Sequence, residues 1–344
     1  MENVGDLTRI FGDVLRLCKL KKGEVFAVLT EGNSQAAYTE AYLRAAEDLG
    51  AFAFQLNIAK QRQDSSGAMK RTSLTGNQGA VEVLKTADLI IDMVGLLWSP
   101  EQSEIQQAGA RILMCLEPID VITRMFPSEK LRAKVEKAEK ILKNGKELRI
   151  TSRSGTDVTY KLGQYPVITQ YGYTDEPGRW DHLPGGFVFT GGSDGGVNGT
   201  VVVGVGDILL PFKRYVSAPI RLSIKNGMVN KIEGDHPDAE MLRSFMNRWQ
   251  DPRAYAISHI GWGMDEKAQW EFLGTNPNTL SEGADARAFS GNVLFSTGPN
   301  NELGGDNDTP CHLDIPLRGC DLFVDGIQIL QQGEVVNREL TADA

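Results

Sequence analysis

The chain has 344 residues, enough for about two domains with separate cores, and its 41% hydrophobic and 24% charged content excludes disordered and fibrous classes. Its 45 acidic against 36 basic side chains leave a formal charge of −9, which repels nucleic-acid phosphates and anionic lipid head groups, so neither is an expected partner. No stretch approaches the ~20 apolar residues of a membrane span, the start shows no export signal, and Cys18, Cys115, Cys311 and Cys320 form no C-x-x-C pair, so a cytoplasmic protein with reduced, mostly buried thiols is expected.

Residues 24–30 (EVFAVLT) predict a strand, 34–49 a helix ended by Gly50, and 51–58 a second strand with Phe52, Phe54, Leu56 and Ile58 on one face. A helix near 80–86, a strand over 88–94, a helix over 100–108 and a strand over 111–117 continue an alternation that builds a mainly parallel sheet. After Pro127, Leu131, Val135, Ala138 and Leu142 recur at helical spacing as far as Gly145, with Lys and Glu on the solvated face. The pattern then changes to short strands between glycine-rich turns, at 147–151, 157–162, 200–205 and 219–224, with Asn226-Gly227 as a tight-hairpin signal. One helix interrupts them, with Leu242, Phe245, Met246 and Trp249 on a single face and Asp251-Pro252 closing it. The expected fold class is α/β: a smaller N-terminal domain over 1–150 with a mainly parallel sheet, and a larger α+β domain over 151–344 that carries the chemistry.

The turn after the first strand, Thr30-Glu31-Gly32-Asn33-Ser34, is no dinucleotide fingerprint, and no phosphate-binding loop, nucleophile elbow or H-E-x-x-H occurs. The glycines at 191, 192, 195, 196 and 199 lack a partner lysine and read as a flexible loop. Imidazole chemistry must therefore come from four histidines. His236 precedes Pro237-Asp238 in a helix-start context and reads as structural. His312 and Asp314, two apart in CHLDIPL, share one face if the segment is a strand, where they form either two ligands of a metal or a buried hydrogen bond. His259, in the apolar, glycine-bounded run SHIGWG, is the best third donor. Two histidines and a carboxylate leave open positions suited to a non-haem Fe(II) oxygenase, with zinc hydrolysis as the competitor.

Around these residues the sequence becomes specific. The stretches GQYPVITQYGYTDEPGRWDHLPGGF (from Gly163), VGDILLPFKRY (from Val205), ISHIGWGMDEKAQW (from Ile257), DARAFSGNVLFSTGPN (from Asp285) and TPCHLDIPLRGCDLF (from Thr309) closely resemble the 2,5-dihydroxypyridine 5,6-dioxygenase family of bacterial nicotinate and nicotine degradation. The resemblance extends to ADLIIDMVGLLWSPEQ and RILMCLEPIDVITRMFP in the first half, and so covers most of the chain. It implies a homo-oligomeric enzyme whose Fe(II), held by His259, His312 and Asp314, lets O2 open 2,5-dihydroxypyridine between C5 and C6 to N-formylmaleamic acid. It also implies a fold similar to thermophilic-type metallo-aminopeptidases. Those peptidases require a glutamate after Leu-Pro-x-Gly, whereas Leu183-Pro184-Gly185-Gly186 is followed here by Phe187. A second departure is Gln170, where the family pattern has a glutamate before Tyr-Gly-Tyr.

The ring hydroxyl has to lose a proton, and His182 is the remaining imidazole for that step, oriented by Asp181 or a backbone carbonyl; its alternative is a turn-stabilising role. Ser296 resembles a family position near the substrate, where its hydroxyl either bonds substrate or an oxygen adduct or satisfies its own turn. Trp180, Trp262 and Trp270 are candidate pocket walls or core, and Cys311 is expected to pack on the face opposite His312. The competing readings are a metallo-aminopeptidase, a dioxygenase for another dihydroxy aromatic ring, and a catalytically silent binding protein of the same fold.

Overall fold

A computed structural model describes residues 4–32, 35–60, 72–97, 99–276 and 281–341; Asn33, Ser34 and Trp98, named or quoted above, lie outside them. The chain divides into two compact units, Met1–Pro127 with Tyr171–Gly185, and Ser128–Gln170 with Gly186–Ala344. The division expected near 150 falls within the strand Glu147–Ser152 of the second unit.

The first unit holds a five-stranded sheet in the order Phe52–Ile58, Val25–Glu31, Leu89–Asp92, Arg111–Cys115, Trp180–Leu183, every pair parallel. Its inner strands are buried along almost their whole length, as their continuous apolar runs require when both faces are covered. The helices between them start where the sequence supplies caps. Asn77 accepts the amide of Ala80 ahead of Gln78–Leu84, and Ser99 accepts that of Gln102 ahead of Pro100–Gln107, with Pro100 in the first turn. On the edge strand the expected apolar face is only partly buried, and Phe52 is 69% exposed. The helix Val4–Leu17 was not expected, although Leu7, Phe11, Val14 and Leu15 recur at helical spacing; Phe11 stacks on Tyr42 at 3.9 Å. The fifth strand arrives from much later in the chain and brings His182 into this sheet.

In the second unit the helix Glu129–Asn144 is capped by Ser128 and buries Leu131, Val135, Ala138 and Leu142, the face read from the sequence. An eight-stranded sheet runs in the order Met228–Glu233, Ile220–Lys225, Val197–Val203, Asp157–Lys161, Glu147–Ser152, Cys320–Val324, Ile327–Gln331, Glu334–Val335. The hairpin expected at Asn226-Gly227 joins its first two strands, with φ of 52° and 75° at the two turn residues. The glycine run is only in part a loop. Gly191 ends the strand Phe187–Gly191, and Gly199 lies inside Val197–Val203, where a Cβ would stand 2.2 Å from the Asp157 carbonyl oxygen, so close strand approach demands glycine there.

A five-stranded antiparallel sheet completes this unit, in the order Leu313–Leu317, Val293–Thr297, Ile257–Gly263, Phe187–Gly191, Ile168–Gln170. Its four longer strands are buried at every residue, so the polar side chains they carry must find partners inside the protein. Among the described residues, no helix is long and apolar enough to cross a membrane.

Candidate metal centre

Three neighbouring strands of the buried sheet deliver the polar cluster. Asp314 and Ser296 stand opposite one another in register. Between the pairs Ile257–Thr297 and Ile260–Phe295 the register slips by one residue, so Ser258 and His259 together oppose Ser296. Such a bulge re-aims side chains, and here it occurs at the histidine. On its other side His259 stands in register with Gly191, where a Cβ would come 2.8 Å from both Leu303 and Tyr165. His312 lies just before Leu313–Leu317, and the two-residue alternation puts it on the face of Asp314.

The result is a convergence of three donors. His259 Nε2 is 3.2 Å and His312 Nε2 3.1 Å from Asp314 Oδ1, and one ligand atom from each of the three residues lies within 4.8 Å of the others. Two donors each about 2.1 Å from a shared cation and at right angles to it would be about 3.0 Å apart, so these spacings suit a divalent ion with further positions open. The imidazole rings are 5.4 Å apart, and Phe189 packs 5.0 Å from the ring of His259. His259 Nδ1 is buried with no hydrogen-bond partner among the described residues, which leaves its Nε2 as the nitrogen turned to the cluster.

Ser296 Oγ lies 3.2 Å from His312 Nε2, within hydrogen-bond distance of the cluster. The second carboxylate oxygen, Asp314 Oδ2, accepts from Arg287 Nε at 3.0 Å. Burial works against charge on Asp314, but His312 and Arg287 beside it hold its carboxyl well below the usual carboxylate range. Burial would likewise lower His312, yet the neighbouring Asp314 carboxylate raises it above the ordinary histidine value. Cys311 is buried, and burial pushes its thiol up to about 11.

The remaining candidates are distributed differently. His182 is 3% exposed and belongs to the parallel sheet of the first unit. The Asp181 carboxylate accepts the amides of Tyr171, Gly172 and His182 and pairs with Arg179 at 2.7 Å, which fixes the main chain of this segment. Gln170 is buried and stands in register opposite Phe187, so the two departures from glutamate are neighbours across one strand pair. Trp180 joins the first unit's core cluster, Trp270 a smaller cluster with Ile208 and Leu273, and Trp262 is fully buried. His236 is the residue before the helix Pro237–Asn247 as expected, but its imidazole contacts the Pro219 carbonyl instead of capping the helix.

Arg287 and Asn292 were not among the expected site residues. The arginine sits 27 positions before Asp314, on the short helix Ala284–Ala288, and only its place inside the DARAF stretch marked it. Asn292 is buried; its amide donates to the carbonyls of Ala286 and Arg287, and its oxygen accepts from the Gly263 amide at 2.6 Å.

Comparison with known proteins agrees along nearly the whole chain. The family described as NicX, 2,5-dihydroxypyridine 5,6-dioxygenase, matches residues 6–337. A 2,5-dihydroxypyridine 5,6-dioxygenase of Pseudomonas putida strain KT2440 is 43% identical over 339 residues, covering 97% of each chain. The solved structure of 2,5-dihydroxypyridine dioxygenase from Pseudomonas putida KT2440 is similar with a TM-score of 0.93 at 42% identity, covering 99% of this chain and 100% of that one. Wild-type AmpT from Thermus thermophilus is similar in fold, with a TM-score of 0.66 at 16% identity over 96% of this chain and 99% of that one. The α/β class and the aminopeptidase-like fold read from the sequence are those of the structure.

Proposed function

The chain belongs to the 2,5-dihydroxypyridine 5,6-dioxygenase family, and from that premise we propose that it opens 2,5-dihydroxypyridine between C5 and C6 with an Fe(II) ion held by His259, His312 and Asp314. The observation that carries the proposal is the convergence of two imidazole nitrogens and one carboxylate oxygen on one face of a buried sheet. When bound, Fe(II) supplies the electron path by which a singlet ring reacts with triplet O2. Both oxygen atoms then end in the product, N-formylmaleamic acid.

The chain's own residues define the rest. Asp314 brings one negative charge against Arg287, so a divalent ion leaves the cluster net positive, which favours a deprotonated ring hydroxyl over a neutral one. With Phe187 after Leu183-Pro184-Gly185-Gly186, a peptidase's second metal would lack its glutamate. His312 Nε2 cannot both accept from Ser296 and bind a cation, so a bound ion frees the Ser296 hydroxyl to bond substrate or its oxygen adduct. His182 is the proposed base for the ring hydroxyl. The proposal further makes the enzyme a cytoplasmic homo-oligomer, in keeping with four buried, unpaired cysteines.

The test is reconstitution of metal-free protein with Fe(II) without air, followed by 2,5-dihydroxypyridine and oxygen in an O2 electrode. One O2 consumed per ring by the iron form and none by the zinc form is the expected result. An iron-loaded protein that consumes no O2 with this ring refutes the assignment of substrate.

A further inference from the structure

We infer that Arg287 is a positioning residue that makes Asp314 a one-oxygen donor, by occupying Oδ2 so that only Oδ1 faces the two imidazoles. The inference rests on the metal-centre reading above and concerns a residue outside the ligand set. A carboxylate has two equivalent oxygens and rotates freely about its last torsion, so nothing in Asp314 itself decides whether it offers a cation one oxygen or both. The division of labour observed is complete. Oδ1 takes both histidine contacts, at 3.2 and 3.1 Å, and Oδ2 takes Arg287 Nε at 3.0 Å. A guanidinium carries its charge at every working pH, so this hold does not relax on titration.

Arg287 is itself held at both its side chain and its main chain. Its Nη1 donates to the Glu282 carbonyl at 2.6 Å, and its main-chain carbonyl accepts from the Asn292 side chain at 3.0 Å. The same Asn292 accepts from Gly263, at the end of the strand that carries His259. One buried amide therefore ties the arginine's helix to the histidine strand, and the arginine ties that helix to the aspartate strand. An ion pair serving stability alone would need neither the split between the two carboxylate oxygens nor this second link. The consequence for the reaction is a coordination position: an aspartate bound through both oxygens would take one that substrate and O2 require.

The experiment compares wild type with Arg287→Gln and Arg287→Lys, each checked for folding by circular dichroism, in titrations with Co(II) read by affinity and by visible spectrum. Wild type should bind one Co(II). Arg287→Gln should bind it about 10–100-fold more weakly and shift the visible bands as Oδ2 joins the ion, and Arg287→Lys, which keeps the charge, should fall between. A folded Arg287→Gln, or Arg287→Lys where the glutamine variant does not fold, with wild-type affinity and an unchanged spectrum overturns the inference. Failure of wild type to bind Co(II) overturns the metal-centre reading instead, and this inference with it.

Discussion

The cluster concentrates its chemistry in few atoms, and each makes a separate prediction. His312→Ala removes one of three donors and should abolish metal retention while leaving the fold intact; metal analysis of the purified variant checks this, and a full equivalent would remove His312 from the set. Ser296→Ala should keep the metal, since its hydroxyl is not a donor in the set, and the proposed bond of that hydroxyl to the substrate predicts turnover lower by about 10²-fold. Steady-state kinetics on metal-matched samples measures it. At this scale the sequence disclosed the types and half the geometry. The two-residue spacing of His312 and Asp314 fixes a common face whatever the rest of the fold does. His259 was reached by scarcity of histidines and an apolar setting. Arg287 was not legible, because its partner Asp314 is reached through a helix, a turn and two strands whose packing no local pattern encodes.

At the scale of elements, the sheet depends on strand register more than on propensity. The one-residue slip beside His259 was invisible in the sequence, since a bulge changes pairing without changing composition. Helices were easier: Leu131, Val135, Ala138 and Leu142 announce their face, and Leu142→Ala should cost about 2–5 kcal/mol in denaturant unfolding because the side chain is 2% exposed. The glycine run was misread as wholly flexible because close approach between strands, the reason for Gly199, is a property of neighbours. A buried carboxyl joins two elements at Asp207, which accepts the amides of Gly204 and Arg318. Burial outweighs those bonds and pushes its pKa from 3.8 up to about 7. A raised acid stabilises the fold below its unfolded value and loses that contribution as pH rises through its folded value. Wild type should therefore lose about 2–3 kcal/mol between pH 5 and pH 8 through this group, and Asp207→Asn should not. Urea unfolding of both proteins at the two pH values decides it; parallel losses would contradict the assignment.

For the whole molecule, alternation of strands and helices made the first unit's parallel sheet legible, because a parallel pair demands a crossover and the crossovers are helices. The fifth strand of that sheet was not legible, since Trp180–Leu183 is four residues long and returns from within the sequence of the second unit. The antiparallel sheet that carries the cluster was only partly visible for a related reason: its strands are fully buried and show no alternation of polar and apolar residues. Ligand binding to such a sheet must add to stability. Cobalt(II) at about 100 times its dissociation constant should stabilise wild type by about 2.7 kcal/mol and raise its melting midpoint by several degrees, while His312→Ala should show no rise.

The most direct test of the central claim is the mass of the product formed from 2,5-dihydroxypyridine by the iron-loaded protein under ¹⁸O-labelled O2. A ring-opened product carrying both labelled atoms, formed by wild type and absent with His312→Ala, is the predicted result. A product with one labelled atom or none, or equal yield from the variant, would contradict dioxygenation at this cluster.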